Sequence, residues 1–353
     1  MLESALAQAW PPFVLVVGLL LVGLVAGRDG FFEWLAAGIE RLPGPPAVML
    51  AALLVAVAAV TAVLNLDTAV VFLTPVLIHA ARRRGASERP FLYGSIFMAN
   101  AGSLFLPGSN LTNLLVLDRD PAASGGFASH LLVAGLAATA VTALGTLLLF
   151  SGELRTASPT QRVVPARGRG VPWLGICATL AAAVPVVLLR NPAPAVLGLG
   201  LALAALELVR GRLAPARVAA AIGPGVLSAL FVLSVGLGVL ARTWAGPATL
   251  LAHAGRWGTA ALGALGAVTI NNLPAAVLLS ARPPAHPRAL LIGLDIGPNL
   301  AVTGSLSAWL WWRASREVGA KPSAATLSRR GAVLAPLAIV AALVAAGSSP
   351  GLS

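Results

Sequence analysis

Apolar segments alternate with short basic loops along the whole chain. A helix needs about 20 apolar residues to cross the ~30 Å hydrocarbon core of a bilayer. Because backbone groups in lipid must be satisfied within the segment, such runs predict helices. The pattern therefore predicts an all-α membrane protein with many crossings. The uninterrupted apolar runs are residues 12–26, 127–150, 172–189, 194–209, 218–240 and 332–346.

A further apolar segment, residues 90–117, is interrupted by polar residues, proline and glycine. An unbroken helix of this length would run ~42 Å, well beyond the hydrocarbon core. Pro107 removes a backbone donor and clashes with the preceding turn. Gly108 lets the chain leave helical geometry. We therefore predict a helix that is broken in the middle of the membrane.

A second interrupted segment, residues 289–312, repeats the order of the first. Broken segments at corresponding positions of two halves are typical of secondary transporters, whose solute site lies at the breaks. The alignment of the two segments must shift by one residue before the last of the corresponding pairs. The correspondences are Asn100 with Asp295, Gly102 with Gly297, and Gly108-Ser109 with Gly304-Ser305.

Two more apolar stretches carry polar residues at their centres. Residues 45–81 contain Asn65 and Asp67, and residues 257–281 contain Asn271 and Asn272. Each stretch is either a re-entrant hairpin with its tip near mid-membrane or a pair of full spans joined at the polar centre, which is Asp67 in the first stretch. With hairpins, the chain has about eight transmembrane helices, two of them broken, and two hairpins that enter from opposite faces.

The order of these segments divides the chain into two halves. Residues 1–150 are predicted to form a first inverted repeat and residues 171–353 a second, with residues 151–170 as a cytoplasmic linker. The predicted fold class is an inverted-repeat secondary transporter. A belt of Trp309, Trp311 and Trp312 is expected at the cytoplasmic boundary.

Charge sets the orientation. The 353 residues are 58% hydrophobic and 10% charged, with a formal net charge of +12. The arginines lie in short loops, where a basic excess orients a protein in a membrane, so a nucleic-acid partner is rejected. With the two hairpins, 18 of the 24 Lys and Arg residues fall on the side that carries Arg82, Arg83 and Arg84. We expect a multi-pass protein of the cytoplasmic (inner) membrane with its N-terminus outside.

Two carboxylates lie within apolar segments. A charged group inside a bilayer is costly and usually functional, so Asp67 and Asp295 are predicted to couple transport to protons. The alternative for Asp67 is a structural cap on a helix that starts at Thr68, because aspartate is a preferred N-cap residue.

Neutral polar side chains near the breaks and tips are predicted to bind the solute, because amides and hydroxyls both donate and accept hydrogen bonds. The alternative is hydrogen bonding between helices. The predicted solute-binding residues are Asn65, Ser109, Asn110, Thr112, Asn113, Asn271, Asn272, Asn299, Thr303 and Ser305. The predicted backbone-shaping residues are Gly102, Gly108, Gly297 and Gly304.

Other chemistry has no support in the sequence. It contains no phosphate-binding loop of the P-loop type. Its four histidines and one cysteine show no zinc-ligand spacing and no pairing that would activate a nucleophile. We therefore expect neither an enzyme nor a metal or cofactor site.

The chain resembles the arsenite/antimonite efflux permease family, within the ion-transporter superfamily that includes dicarboxylate and citrate carriers. The resemblance implies two inverted repeats, each giving a re-entrant hairpin and a broken helix to a mid-membrane site. It also implies secondary active export of arsenite or antimonite, by proton antiport. The stretches that carry it are residues 29–42, 64–78 (LNLDTAVVFLTPVLI), 98–116, 271–279 and 293–311.

The chain departs from the family pattern in two ways. About two helices that the family has before Pro12 are expected to be missing, and Asn65-Leu66-Asp67 stands where relatives often read Asn-Asp. The resemblance implies as partners arsenite or antimonite, protons, membrane lipid, a second copy in a homodimer and a soluble ATPase subunit. The alternative function is a carrier for another small ion of the superfamily, by citrate or dicarboxylate transport or by sodium/proton exchange.

Overall fold

The computed structural model describes residues 1–117, 127–155, 170–189 and 191–347. Those residues form helices and turns and contain no β-strand. Most of the predicted linker, residues 156–169, lies outside the described residues. The helices are α1 (Leu2–Asp29), α2 (Phe31–Glu40), α3 (Pro46–Leu64), α4 (Leu66–Arg83), α5 (Arg89–Gly102), α6 (Leu111–Leu117), α7 (Phe127–Leu149), α8 (Ser151–Arg155), α9 (Trp173–Leu188), α10 (Ala193–Val209), α11 (Pro215–Ile222), α12 (Pro224–Thr243), α13 (Gly246–His253), α14 (Arg256–Ile270), α15 (Asn272–Leu279), α16 (Pro287–Ile296), α17 (Leu306–Glu317) and α18 (Ala324–Gly347).

Several of these helices are long and apolar enough to cross a membrane. In the described part of the chain they are α1, α3, most of α7, the consecutive pair α11–α12, and α18, while α9 and α10 are shorter apolar helices. The two broken helices fall below this length because their halves are short. The predicted all-α membrane fold is confirmed.

The first polar-centred stretch folds as α3 and α4, which pack against each other. The chain turns at Asn65, whose φ of 96° lies in the left-handed region, and not at Asp67 as the sequence suggested. α3 has 19 residues and α4 has 18, so length alone does not separate a hairpin from two spans. At its outer end α4 is fixed to α2, because Arg83 donates to both carboxylate oxygens of the buried Glu40.

The second polar-centred stretch folds as α14 and α15. Its turn is Asn271, which also has a positive φ, of 77°. α15 has only 8 residues and is therefore about 12 Å long, too short to cross the ~30 Å hydrocarbon core. This segment is therefore a hairpin with one short arm and not a pair of spans.

The two broken helices repeat the same backbone. Each has a short 3-10 turn, Pro107–Ser109 in the first and Val302–Gly304 in the second. An extended residue, Asn110 or Ser305, then begins the second half-helix. All of these positions in the second helix lie 195 residues after their counterparts in the first. The predicted alignment of Gly304-Ser305 with Gly108-Ser109, which needed a one-residue shift, was wrong. With the constant offset, Ser305 corresponds to Asn110 and not to Ser109.

The broken helices form the centre of the molecule. Every residue of α5 after Arg89 is buried, as is every residue of α16 after Arg288. By contrast, only 17% of the most apolar 18-residue stretch of α11–α12 is buried, as expected for a lipid-facing helix. Trp311 does not belong to an interfacial belt, since its side chain is fully buried and its indole N–H donates to Leu92 O at 2.8 Å.

Candidate functional site

The tip of the first hairpin presents a buried carboxylate to the second broken helix. The Asn65 side chain accepts a hydrogen bond from Thr68 N at 2.9 Å and caps α4. The prediction that Asp67 caps a helix starting at Thr68 is therefore wrong. Asp67 is only 2% exposed, and its Oδ1 accepts a hydrogen bond from Ser307 Oγ at 2.6 Å. The tip thus lies beside the first turn of α17.

The tip of the second hairpin contacts the same broken helix. Asn271 caps α15 by accepting from Leu273 N at 3.3 Å, and its amide donates to Thr303 O at 3.3 Å. Thr303 is exposed, and its hydroxyl donates back to Val268 O at 3.1 Å. Asn271 and Thr303 therefore join the hairpin to the break. Asn272, which follows Asn271, is only 2% exposed.

Asp295 joins the two broken helices. It is fully buried at the end of α16. Its Oδ1 accepts hydrogen bonds from Asn110 Nδ2 at 2.7 Å and from Thr112 Oγ1 at 2.5 Å, both in the first broken helix. Residues that are nearly 200 positions apart in sequence thus meet at one carboxylate.

A pair of amides forms a second contact between the broken helices. Asn100 Nδ2 donates to Asn299 Oδ1 at 2.8 Å, and Asn299 Nδ2 donates to Phe97 O at 3.3 Å. Both asparagines are fully buried. Asn100 was not among the predicted solute-binding residues. Its alignment with Asp295 in the repeat was the signal that could have identified it.

Other predicted solute-binding residues satisfy the backbone that the breaks leave open. Asn113 Nδ2 donates to Ser103 O at 2.8 Å and to Leu106 O at 3.2 Å, and Ser109 Oγ donates to the same two carbonyls. Ser305 caps α17 by accepting from Ala308 N at 3.1 Å. Freed backbone groups inside a membrane need such partners. The hydroxyls of Ser109 and Ser305 are therefore already engaged.

The four predicted backbone-shaping glycines act through close packing. None has a positive φ, so the breaks do not depend on a left-handed glycine. A Cβ on any of them would overlap a neighbour or press against it, so substitution would force that neighbour to move. These neighbours are Ala58 for Gly102, Val186 for Gly108, Ala264 for Gly297 and Pro298 for Gly304.

Several buried oxygen atoms around the breaks lack a hydrogen-bond donor. Within the described residues, Asn100 Oδ1, Asn113 Oδ1 and Asp295 Oδ2 have no partner, and neither does Asn272 Oδ1. Asn100 and Asn113 both contact Ser103, since Ser103 Oγ donates to Asn100 O at 2.7 Å and Asn113 Nδ2 donates to Ser103 O at 2.8 Å. Asp295 meets the same broken helix through Asn110 and Thr112. Buried acceptors without donors are unusual in folded proteins. The arrangement would accept hydrogen bonds from a solute that brings O–H or N–H groups.

The two carboxylates also lack a positive partner. No salt bridge in the described parts of the chain includes Asp67 or Asp295. A buried charge without a counterion is strongly unfavourable. Both carboxyl groups are therefore buried without a cationic side chain that would neutralise them in the described structure.

Comparison with known proteins assigns the chain to a family. A model described as a citrate transporter matches residues 3–312. The chain belongs to the citrate transporter family. Like the rest of this family, it is a membrane transporter and not an enzyme, as predicted. The match spans both hairpins and both breaks, so the whole site described above lies within it.

The chain is also similar to curated membrane proteins. The arsenical pump membrane protein of Yersinia enterocolitica is 32% identical over 145 residues, which are 40% of this chain and 34% of that protein. The protein of the same name from Escherichia coli K12 is 25% identical over 337 residues, 86% of this chain and 78% of that protein. The predicted resemblance to arsenical permeases is confirmed.

A solved structure shares the fold. The YdaH transporter of Alcanivorax borkumensis superposes with a TM-score of 0.59 at 17% identity, and the match covers 98% of this chain and 86% of that chain. At this identity the comparison supports the fold alone.

Proposed function

We propose that the protein exports arsenite or antimonite across the cytoplasmic membrane, with its N-terminus outside. The observation that carries the proposal is the group of unpartnered acceptors on Asn100, Asn113 and Asp295. Arsenite at neutral pH is a small neutral trihydroxide, and its three O–H groups match three acceptors. The arsenical pump relatives support the same substrate class.

Proton antiport is the coupling that fits the two carboxylates. Asp67 and Asp295 are buried without a salt-bridge partner in the described structure. Each would bind a proton on one side of the membrane and release it on the other. The hydroxyls of Ser307 and Thr112 would hold the ionised form. Alternating access would move the hairpins and breaks of two inverted repeats against the surrounding helices.

A citrate or dicarboxylate carrier is the second candidate, and the description of the family model favours it. Against it, no arginine or lysine donates a hydrogen bond to either Asp67 or Asp295 within the described residues. Two buried carboxylates would also repel a polyanion. Sodium/proton exchange, a homodimer and a soluble ATPase subunit stay as predictions from the resemblance.

Uptake into everted membrane vesicles tests the proposal. We expect saturable accumulation of arsenite or antimonite that requires a proton gradient, needs no ATP and is not inhibited by citrate. Vesicles from cells with an empty plasmid are the control. Accumulation that persists after the gradient has been collapsed would contradict antiport. Accumulation of citrate in place of the metalloid would favour the second candidate.

A further inference from the structure

A cavity lies outside the site, between α4 and the helices α1 and α2. Its volume is about 260 Å³, far more than the ~30 Å³ that one water occupies in the liquid. The inner wall is apolar and the mouth carries Glu33, His79 and Arg83, which favours water there. The lining residues are Gly27, Phe32, Glu33, Val71, Phe72, Pro75, Val76, His79 and Arg83.

The cavity follows α4 from its basic end toward the hairpin tip. Its deepest lining residue on α4 is Val71 and its outermost is Arg83, a separation of about 18 Å along a helix. Asp67 lies one further turn inward, about 6 Å beyond Val71. The cavity therefore covers the outer turns of α4 and stops just short of the buried carboxylate.

A pair of stacked aromatic rings forms part of the cavity wall near its inner end. Phe72 stacks on Phe32 with ring centroids 5.2 Å apart and an interplanar angle of 2°. Phe72 and Thr68 both face Gly23 of α1, where an added Cβ would overlap both side chains. Thr68 is one turn closer to the tip than Phe72, on the same face of α4. On this face of α4, Phe72 therefore lies between the outer part of the cavity and Thr68.

The tip behind the rings contains buried polar atoms without partners in the described structure. They are Thr61 Oγ1, Asn65 Nδ2 and Thr68 Oγ1, and all three residues are fully buried. Buried hydroxyl and amide groups normally find a partner in protein or water. Their presence behind an otherwise apolar closure indicates that water or a polar solute reaches this end of the hairpin.

We propose that this cavity is the aqueous entrance from the basic side of the membrane to the hairpin tip at Asp67. The stacked Phe32–Phe72 pair is its gate. The route admits protons and small neutral hydroxylated solutes, and its volume of about 260 Å³ is below the ~300–1,000 Å³ of pockets for drug-sized molecules. The inference deepens the proposed function, because a solute released at the tip needs a route to this face.

Cysteine labelling tests the entrance without any transport assay. The native Cys177 is exposed and is first changed to serine. Val76→Cys reports on the cavity wall. Leu73→Cys is the matched control, because Leu73 is also buried on the same helix, at 1% exposure against 6% for Val76, and does not line the cavity. A charged, membrane-impermeant thiol reagent is applied to inside-out vesicles, and we expect Val76→Cys to react about tenfold faster than Leu73→Cys.

The gate is tested on the same vesicles. Thr68→Cys should react slowly, and Phe72→Ala in that background should accelerate its labelling about tenfold. Thr61→Cys is the second reporter if Thr68→Cys does not fold. Equal labelling of Val76→Cys and Leu73→Cys would overturn the entrance, and an unchanged rate after Phe72→Ala would overturn the gate. Labelling involves no arsenite, so failure of the proposed substrate would leave these results unaffected.

Discussion

The two broken helices share a backbone, but the two halves of the chain differ in where they carry their acid. The first half places its carboxylate in the hairpin, at Asp67, and the second places it in the broken helix, at Asp295. The equivalent of Asp295 in the first broken helix is Asn100. The equivalent of Asp67, two residues after the turn of the second hairpin, is Leu273.

The hydroxyls that meet the two carboxylates nevertheless occupy equivalent positions. Thr112 donates to Asp295 and Ser307 donates to Asp67, and each residue is the second of its half-helix. Asp295 has amide and hydroxyl partners from the other half together with an unpartnered oxygen. The repeated backbone thus gives the two hydroxyl groups equivalent positions, while the two carboxylates have different sets of hydrogen-bond partners. We infer that Asp295 serves both solute and proton, and that Asp67 serves the proton.

The largest effect is expected for the carboxylates. Asp295→Asn should lower coupled transport about 100-fold and should also weaken solute binding, because it replaces the unpartnered carboxylate acceptor Oδ2. Asp67→Asn should lower coupled transport while leaving equilibrium binding within about threefold. Both measurements use the same purified protein, in proteoliposomes and in detergent. Equal loss of binding in the two variants would contradict the division of roles.

A smaller effect, on stability, is expected when a glycine that packs against each helix break is replaced by alanine. Gly331 of α18 lies against the Asn299 carbonyl, so the Cβ of Gly331→Ala would overlap backbone that cannot move freely. We expect a loss of about 3 kcal/mol in unfolding free energy. At the first break, Gly135 of α7 faces the Phe105 ring at 3.2 Å, and Gly135→Ala should lose less than about 1 kcal/mol.

Tryptophan fluorescence during unfolding in detergent measures both glycine variants. Gly135→Ala is the matched control, because it adds the same methyl group next to a side chain that can shift. Similar stability of the two variants would show that the second break is less rigid than its packing indicates.

The smallest effect concerns the hydroxyl donors. Ser307 Oγ provides the one described hydrogen bond to Asp67, so Ser307→Ala should lower stability by about 2 kcal/mol. Thr112→Val should lower it by about 1 kcal/mol, because Asn110 still donates to Asp295. The same unfolding assay compares them. A larger loss for Thr112→Val would indicate that the two carboxylates are less different than proposed.

Much of the fold could be predicted from local chemistry. Proline and glycine within an overlong apolar segment predicted both helix breaks. Both hairpin turns fall on an asparagine, Asn65 and Asn271, because asparagine tolerates positive φ and caps helices. The sequence had placed the first of these turns at Asp67. The register of the second break could not be read in this way. Matching the Gly-Ser pairs shifted it by one residue, whereas the extended residues that begin the half-helices, Asn110 and Ser305, set the true alignment.

The candidate site was harder to predict because its contacts join distant parts of the chain. Asn100 meets Asn299 across 199 positions, and a single sequence contains no signal for that pairing. Local pattern also misled for Trp311. Its neighbours suggested an interfacial belt, but its indole lies in the core against Leu92. The residue types indicated that polar side chains gather at the helix breaks, and only the fold showed which of these side chains face one another.

Direct binding of arsenite to the purified Cys177→Ser protein tests the central claim most directly. This variant has no thiol that could capture the metalloid. We predict saturable binding that citrate does not displace, that Asn100→Leu abolishes, and that Asn191→Ala, in a distant turn, leaves unchanged. Absence of binding, or binding that survives in Asn100→Leu, would contradict a shared solute site between the two helix breaks.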